Sequence, residues 1–264
     1  MSQIHTETYG KGPVLVMIHG WAMHSGVWRD FATQLATHYQ VICVDLPGHG
    51  HSETVEPYLL QPVCDALLSV LPKHPVYLLG WSLGATLAMA MAERYPNRVS
   101  RLIVLAGNPL FVQKTDWPGI KAEVLNGFTD LLKMDVQQTL IRFLALQVNG
   151  LSHGREQLLM LKQAMLECPP PNEAVLQAGL DILTNTDCRE FMLNNHLPVS
   201  LISGAKDTLI PLASSHLLKK LNPGIDLHVL ETAAHAPFLS HPDRLVEIII
   251  GLLPANREHL SLMP

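Results

Sequence analysis

Short, continuously apolar runs recur along the chain, separated by longer stretches with helical periodicity. The runs are Val14-Leu15-Val16-Met17-Ile18, Val41-Ile42-Cys43-Val44, Val76-Tyr77-Leu78-Leu79, Leu102-Ile103-Val104-Leu105, Val199-Ser200-Leu201-Ile202 and Leu227-His228-Val229-Leu230. A strand buried on one face alternates apolar with polar residues, whereas one covered on both faces is apolar throughout. These six runs therefore predict a mostly parallel sheet with helices on both faces, an α/β fold. The segment from Ile4 to Tyr9 does alternate, and the turn residues Gly10-Lys11-Gly12-Pro13 follow it. It is predicted to be an antiparallel edge strand. Residues 110–187, between the fourth and fifth runs, contain no β-rich run. They carry helical patterns broken at Trp117-Pro118-Gly119, Asn149-Gly150 and Pro169-Pro170-Pro171. A structureless loop of that length is rare in a compact domain. The stretch is therefore expected to be a helical insertion in a core built from residues 1–109 and 188–264.

Composition narrows the class. With 264 residues, 48% hydrophobic and 16% charged, the chain is suited to one well-packed unit and excludes intrinsic disorder. The formal charge is −5 and no block of Lys or Arg occurs, so nucleic acid is not an expected partner. No apolar run approaches the length of a membrane span. The opening residues show no basic flank followed by an apolar stretch, so no secretory signal is expected. Four cysteines make no disulfide framework, and free thiols in a reducing cytoplasm are the simplest expectation.

Candidate chemistry begins at Gly80-Trp81-Ser82-Leu83-Gly84, directly after the third run and opening the helix-favouring stretch Leu83 to Ala92. Gly-x-Ser-x-Gly alone is a weak signal. Between a strand and a helix it describes the sharp turn that exposes a serine hydroxyl at the edge of a sheet. The helix N-terminus adds a positive dipole that favours developing negative charge. A serine needs a base to take its proton, and the base needs an orienting carboxylate. On such a sheet the chain order is serine, acid, histidine. Asp207 follows the fifth run and His235 the sixth, 125 and 28 residues along, both at C-terminal strand ends. The rival acids Asp187 and Asp226 precede their strands and fall at the opposite edge.

An oxyanion hole requires two backbone N–H groups: one from Leu83, after the serine, and one from the loop after the first parallel strand, His19-Gly20-Trp21, assigned to Trp21. His19 is read as orienting that loop by hydrogen bonds. The histidines at 19, 24, 49 and 51 lack partners at ligand spacing, so no metal site is assigned. The loop from Asp45 to Ser52 lacks the Lys and Ser/Thr of a phosphate cradle.

His19-Gly20-Trp21, Asp45-Leu46-Pro47-Gly48-His49-Gly50, the serine motif, Asp207 and His235 together resemble the α/β-hydrolase superfamily through essentially the whole chain. A narrower set resembles the pimeloyl-(acyl-carrier protein) methyl ester esterases of biotin synthesis: Asp116-Trp117-Pro118-Gly119-Ile120, Arg142-Phe143-Leu144-Ala145-Leu146-Gln147 and Ala233-Ala234-His235-Ala236-Pro237-Phe238. That resemblance implies a monomeric serine carboxylesterase without cofactor or metal, its insertion acting as a lid. It also implies that Trp21, Ser82, Leu83, Phe143, Leu144, Ala145, Leu146, Gln147 and His235 contact the substrate. The implied partner is an acidic acyl-carrier protein. Residues 136–165 hold three cations (Arg142, Arg155 and Lys162) and one anion, although 110–187 as a whole has 6 basic and 9 acidic residues. Where members of the family carry further arginines, this chain has Gln138 and Leu159. A general short-chain esterase or a carbon–carbon bond hydrolase shares the same three residues, and a non-catalytic binding protein shares the fold. Epoxide hydrolases and haloalkane dehalogenases use a carboxylate nucleophile, whereas position 82 is serine.

Overall fold

The structure, a computed structural model, describes residues 2–151 and 153–254. Its elements follow the chain as β1 (Thr6–Tyr9), β2 (Val14–Ile18), α1 (Arg29–Leu35), β3 (Gln40–Val44), α2 (Leu60–Ser69), β4 (Val76–Trp81), α3 (Leu83–Arg94) and β5 (Val99–Leu105). Four helices come next: α4 (Ala122–Met134), α5 (Val136–Gln147), α6 (Gly154–Leu166) and α7 (Glu173–Asn185). The chain then continues through α8 (Arg189–Asn194), β6 (Val199–Gly204), α9 (Leu212–Leu221), β7 (Asp226–Leu230), α10 (Pro237–Ser240) and α11 (Pro242–Leu252).

Among the described residues the strands form one sheet in the order β1-β3-β2-β4-β5-β6-β7. Only β1 is antiparallel, pairing Thr6 with Val44 and Tyr9 with Val41 at the sheet edge. Every residue of β2, β4 and β6 is buried, as strands covered on both faces are, Ser200 and Ser203 of β6 included. Alternate side chains divide between two hydrophobic clusters. Val16, Ile18, Leu78 and Val104 pack with α2, α3 and α7. Leu15, Met17, Leu79 and Ile103 pack on the other face with α1, α11, Trp28 and Phe238.

The inserted stretch is mostly helical, but not free of β pairing as its sequence implies. Isolated bridges join Val112 to Ile120 and Lys114 to Trp117. A third joins Leu110 to Asp187, and Cys188 N–H donates to Pro109 O at 2.8 Å, so the two ends of the stretch meet. Its helices share the core of the sheet domain: Leu140 and Phe143 belong to one hydrophobic cluster, Leu144, Val148 and Leu161 to the other. All four cysteines are unpaired and buried. Among the described residues no helix is long and apolar enough to cross a membrane.

Because β2 and β4 are neighbours while β3 lies outside β2, the connections diverge between β2 and β4. Open α/β sheets form their ligand crevice at such a reversal, beyond the C-terminal strand ends. The loop after β2 begins at His19 and the turn after β4 holds Ser82.

Candidate active site

Ser82 sits between β4 and α3 with φ +57° and ψ −118°, a left-handed conformation that a non-glycine residue adopts only when its surroundings enforce it. The enforcement is steric. A Cβ at Gly84 would run into the backbone oxygens of Ile18 and His19, and one at Gly80 would meet the backbone of Gly84 and Ala85. The turn is therefore wedged against the end of β2. Leu83 holds the first helical position, where a backbone N–H has no acceptor within the helix. Opposite, Met23 N–H donates to Gly20 O at 3.3 Å and closes a turn around Trp21.

The loops after β6 and β7 bring Asp207 and His235 together. His235 Nδ1 lies 2.7 Å from Asp207 Oδ2, and both side chains are buried. The other carboxylate oxygen, Oδ1, accepts the N–H groups of Leu209 (2.8 Å) and Ile210 (2.9 Å), which fixes the plane of the carboxyl group. With Nδ1–H donated to Asp207, the remaining ring nitrogen, Nε2, is an acceptor. Ser82 Oγ and His235 Nε2 are both buried, and neither has a hydrogen-bond partner among the described residues. The acid–base link is thus formed, and the serine hydroxyl and the base nitrogen are not hydrogen-bonded to each other.

The predicted substrate stretch on α5 divides by helical geometry. Phe143, Leu144 and Gln147 are buried, Leu146 is half-buried, and Ala145 faces solvent. Phe143 stacks edge-on against Trp21 with centroids 4.8 Å apart, and the Trp21 indole donates to Leu176 O at 2.8 Å. Both amide atoms of the Gln147 side chain are buried without partners. Arg142 and Arg155 are exposed, Lys162 is half-buried, and none pairs with a carboxylate among the described residues. Beside them the apolar side chains of Ile141, Leu159 and Met160 are also exposed. The rival acids are occupied elsewhere, Asp226 by Arg101 at 2.5 Å and Asp187 by Arg189 at 2.8 Å.

Three contacts had no sequence signal strong enough to assign. The C-terminal end of α5 reaches both acid and base loops: Thr208 Oγ1 donates to Leu146 O (3.2 Å), and His235 N–H donates to Gln147 O (3.1 Å). The Trp81 indole donates to His235 O at 2.7 Å. Only the last leaves a hint, a polar N–H on a fully buried strand that must find an acceptor.

His19 acts as a structural spacer. Its Nδ1 donates to Gly20 O (2.8 Å) while Nε2 accepts the N–H of Leu46 (2.9 Å), joining the loops after β2 and β3 through a neutral ring. Burial, reinforced by the neighbouring His49, lowers its pKa to about 3, and burial lowers that of His49 to about 4. Asp45 is held below the usual carboxylate range by the N–H groups of Ser25 and His51, which its two carboxylate oxygens accept. Both histidines are neutral when folded and take up protons near pH 6.5 when unfolded. Their stabilisation is complete above that pH and is lost as the pH falls. Between pH 6.5 and 5, before carboxylates titrate, each costs up to about 1.4 kcal/mol per pH unit. The urea midpoint should therefore drop steadily over this window, and a flat midpoint would contradict the assignment.

Residues 13–242 match the model of the family described as alpha/beta hydrolase fold. A pimeloyl-(acyl-carrier protein) methyl ester esterase of Aeromonas salmonicida is 42% identical over 93% of this chain and 97% of that protein. Another from Pectobacterium atrosepticum is 39% identical over 97% of the chain and all of that protein. Among solved structures, an esterase from Exiguobacterium antarcticum superposes with a TM-score of 0.84 at 22% identity, covering 95% of each chain. At that identity the likeness carries the fold alone.

Proposed function

The chain belongs to the α/β-hydrolase family, with pimeloyl-(acyl-carrier protein) methyl ester esterases as its relatives, and from that premise we propose that it hydrolyses the methyl ester of a pimeloyl chain carried on acyl-carrier protein in biotin synthesis, as a cytoplasmic monomer. The observation that carries the chemistry is the buried 2.7 Å contact of His235 Nδ1 with Asp207, which leaves Nε2 of that ring to act as the base for the strained Ser82.

In this reading Ser82 Oγ attacks the ester carbonyl carbon as His235 Nε2 takes its proton. The N–H groups of Leu83 and Trp21 hold the oxyanion, each contributing about 10²–10³ in rate. The tetrahedral intermediate collapses, the imidazolium gives its proton to the methoxide, and methanol leaves. Water then attacks the acyl-serine with His235 again as base, releasing the carboxylate and regenerating Ser82. Asp207 fixes the tautomer throughout. The stacked Trp21 and Phe143 wall the aliphatic chain with Leu144 and Leu146, and the Gln147 amide supplies polar groups in an otherwise apolar enclosure. The inserted helices serve as the lid. Ala145, on the outer side of α5, takes no part.

The carrier docks on the outer lid through Arg142, Arg155 and Lys162, with the exposed Ile141, Leu159 and Met160 adding apolar contact. Reversing both arginines (Arg142→Glu with Arg155→Glu) should raise KM for the carrier-bound ester about tenfold at low salt and leave a free short methyl ester unaffected. Equal effects on both substrates, or on neither, would favour a general short-chain esterase instead.

A further inference from the structure

We infer that Trp81 is a positioning residue for the base His235, holding its peptide carbonyl from the central strand β4. The inference rests on reading His235 as the base. Trp81 ends β4 one residue before Ser82, so its backbone is anchored in the sheet at the chain reversal that carries the serine. The indole is 1% exposed and packs edge-on against Phe238 (centroids 4.8 Å apart) and Trp28 (5.9 Å) on one face of the sheet. Its Nε1 donates to His235 O at 2.7 Å, and its ring lies 5.8 Å from the imidazole.

His235 has no regular secondary structure to hold it; it lies in the loop between β7 and α10. Its backbone is instead gripped at both polar atoms by two different elements. The N–H goes to Gln147 O at the end of α5, and the C=O takes the Trp81 indole. The side chain is gripped once more, at Nδ1, by Asp207. Three fixed points leave Nε2 as the free polar atom, and they set where it points. Two of the three (Gln147 O and Asp207) come from an insertion and a loop. Trp81 is part of the fully buried central strand, and it couples the position of the base directly to the residue beside the nucleophile.

A tryptophan that merely filled the core would be replaceable by a smaller aromatic ring at a cost in stability alone. A positioning residue shows itself in turnover, because a displacement of about 1 Å at a reacting group costs up to about 10²-fold in rate. Trp81→Phe keeps an aromatic ring against Trp28 and Phe238 and removes the N–H. We expect kcat on a free short methyl ester to fall about ten- to a hundredfold with KM within about twofold of the parent. If the phenylalanine variant does not fold, 3-benzothienylalanine incorporated at position 81 preserves the bicyclic shape and replaces the N–H by sulfur; the same fall in kcat is expected. In whichever of the two folds, kcat within about twofold of the parent would overturn the inference, whatever the change in melting temperature. His235→Ala is measured alongside. Its inactivity with an undiminished Trp81 variant leaves the base assignment standing and removes only the role of Trp81. Normal turnover by His235→Ala removes both.

Discussion

Ser82→Ala should lower kcat for methyl ester hydrolysis by about 10⁶-fold, the scale seen when the nucleophile of a serine hydrolase is removed, while the folded protein loses no stability. The second half of this expectation follows from the geometry as directly as the first. Ser82 Oγ bonds no other described residue, so replacing it with alanine leaves no protein donor or acceptor unpaired. Its removal also leaves the +57° φ unrelieved, because alanine suffers the same Cβ strain as serine. The melting temperature of the variant should therefore equal that of the parent. Such a pairing of total functional loss with a neutral or stabilising effect marks a residue retained for chemistry. Steady-state kinetics with thermal unfolding of the same preparations measures both. An organophosphonate should label the parent at Ser82 and leave the variant unlabelled. A variant that still turns over at an ordinary rate would remove Ser82 from the mechanism. A variant that unfolds would instead mark the serine as structural.

How much of this site is readable in the chain depends on what kind of atom does the work. Ser82, Asp207 and His235 are side chains at the C-terminal ends of strands whose apolar runs are unmistakable, and the order serine, acid, histidine nominates them without coordinates. Asp187 and Asp226 are excluded by their position before β6 and within the start of β7, and the structure gives each an arginine partner. The helical character of 110–187 is equally visible in its proline and glycine breaks. The contacts that hold the site in place are a different matter. Leu146 and Gln147 meet Thr208 and His235 through main-chain carbonyls, which every residue possesses. A helix of different sequence and equal length offers the same acceptors, so no pattern of residue types announces them. The face of α5 that turns inward likewise depends on where the helix is seated, and this is why Ala145 belongs to the substrate stretch in sequence and to the solvent side in space. His19 is a partial case. Its neighbours in the chain mark the loop, but its neutrality follows from complete burial and from the Leu46 N–H that it accepts across 27 residues.

Asp207→Asn isolates the acid more sharply than its deletion, because the surrounding N–H groups dictate how the new amide sits. Oδ1 of the carboxylate accepts from both Leu209 and Ile210, two donors that cannot face an NH₂ group. Asparagine must therefore direct its oxygen to those N–H groups and its NH₂ to His235 Nδ1, where Oδ2 stands at 2.7 Å in the parent. Nδ1 then becomes an acceptor, the ring proton moves to Nε2, and the nitrogen that should take the proton of Ser82 already carries one. The base is in place and in the wrong tautomer. On this geometry kcat should fall about 10⁴-fold with KM little changed, the magnitude found for the equivalent exchange in chymotrypsin-like proteases. Stability should fall only modestly, since the loop keeps both of its anchoring hydrogen bonds. Asp207→Ala, by contrast, strands two buried N–H donors at roughly 1–3 kcal/mol each and confounds the catalytic loss with a structural one. The measurement is kcat on a free short methyl ester, paired with the melting temperature of both variants. Asparagine turnover within about tenfold of the parent would mean that the tautomer of His235 is set by something other than Asp207. An asparagine variant as unstable as the alanine one would show that the amide does not sit as Leu209 and Ile210 require.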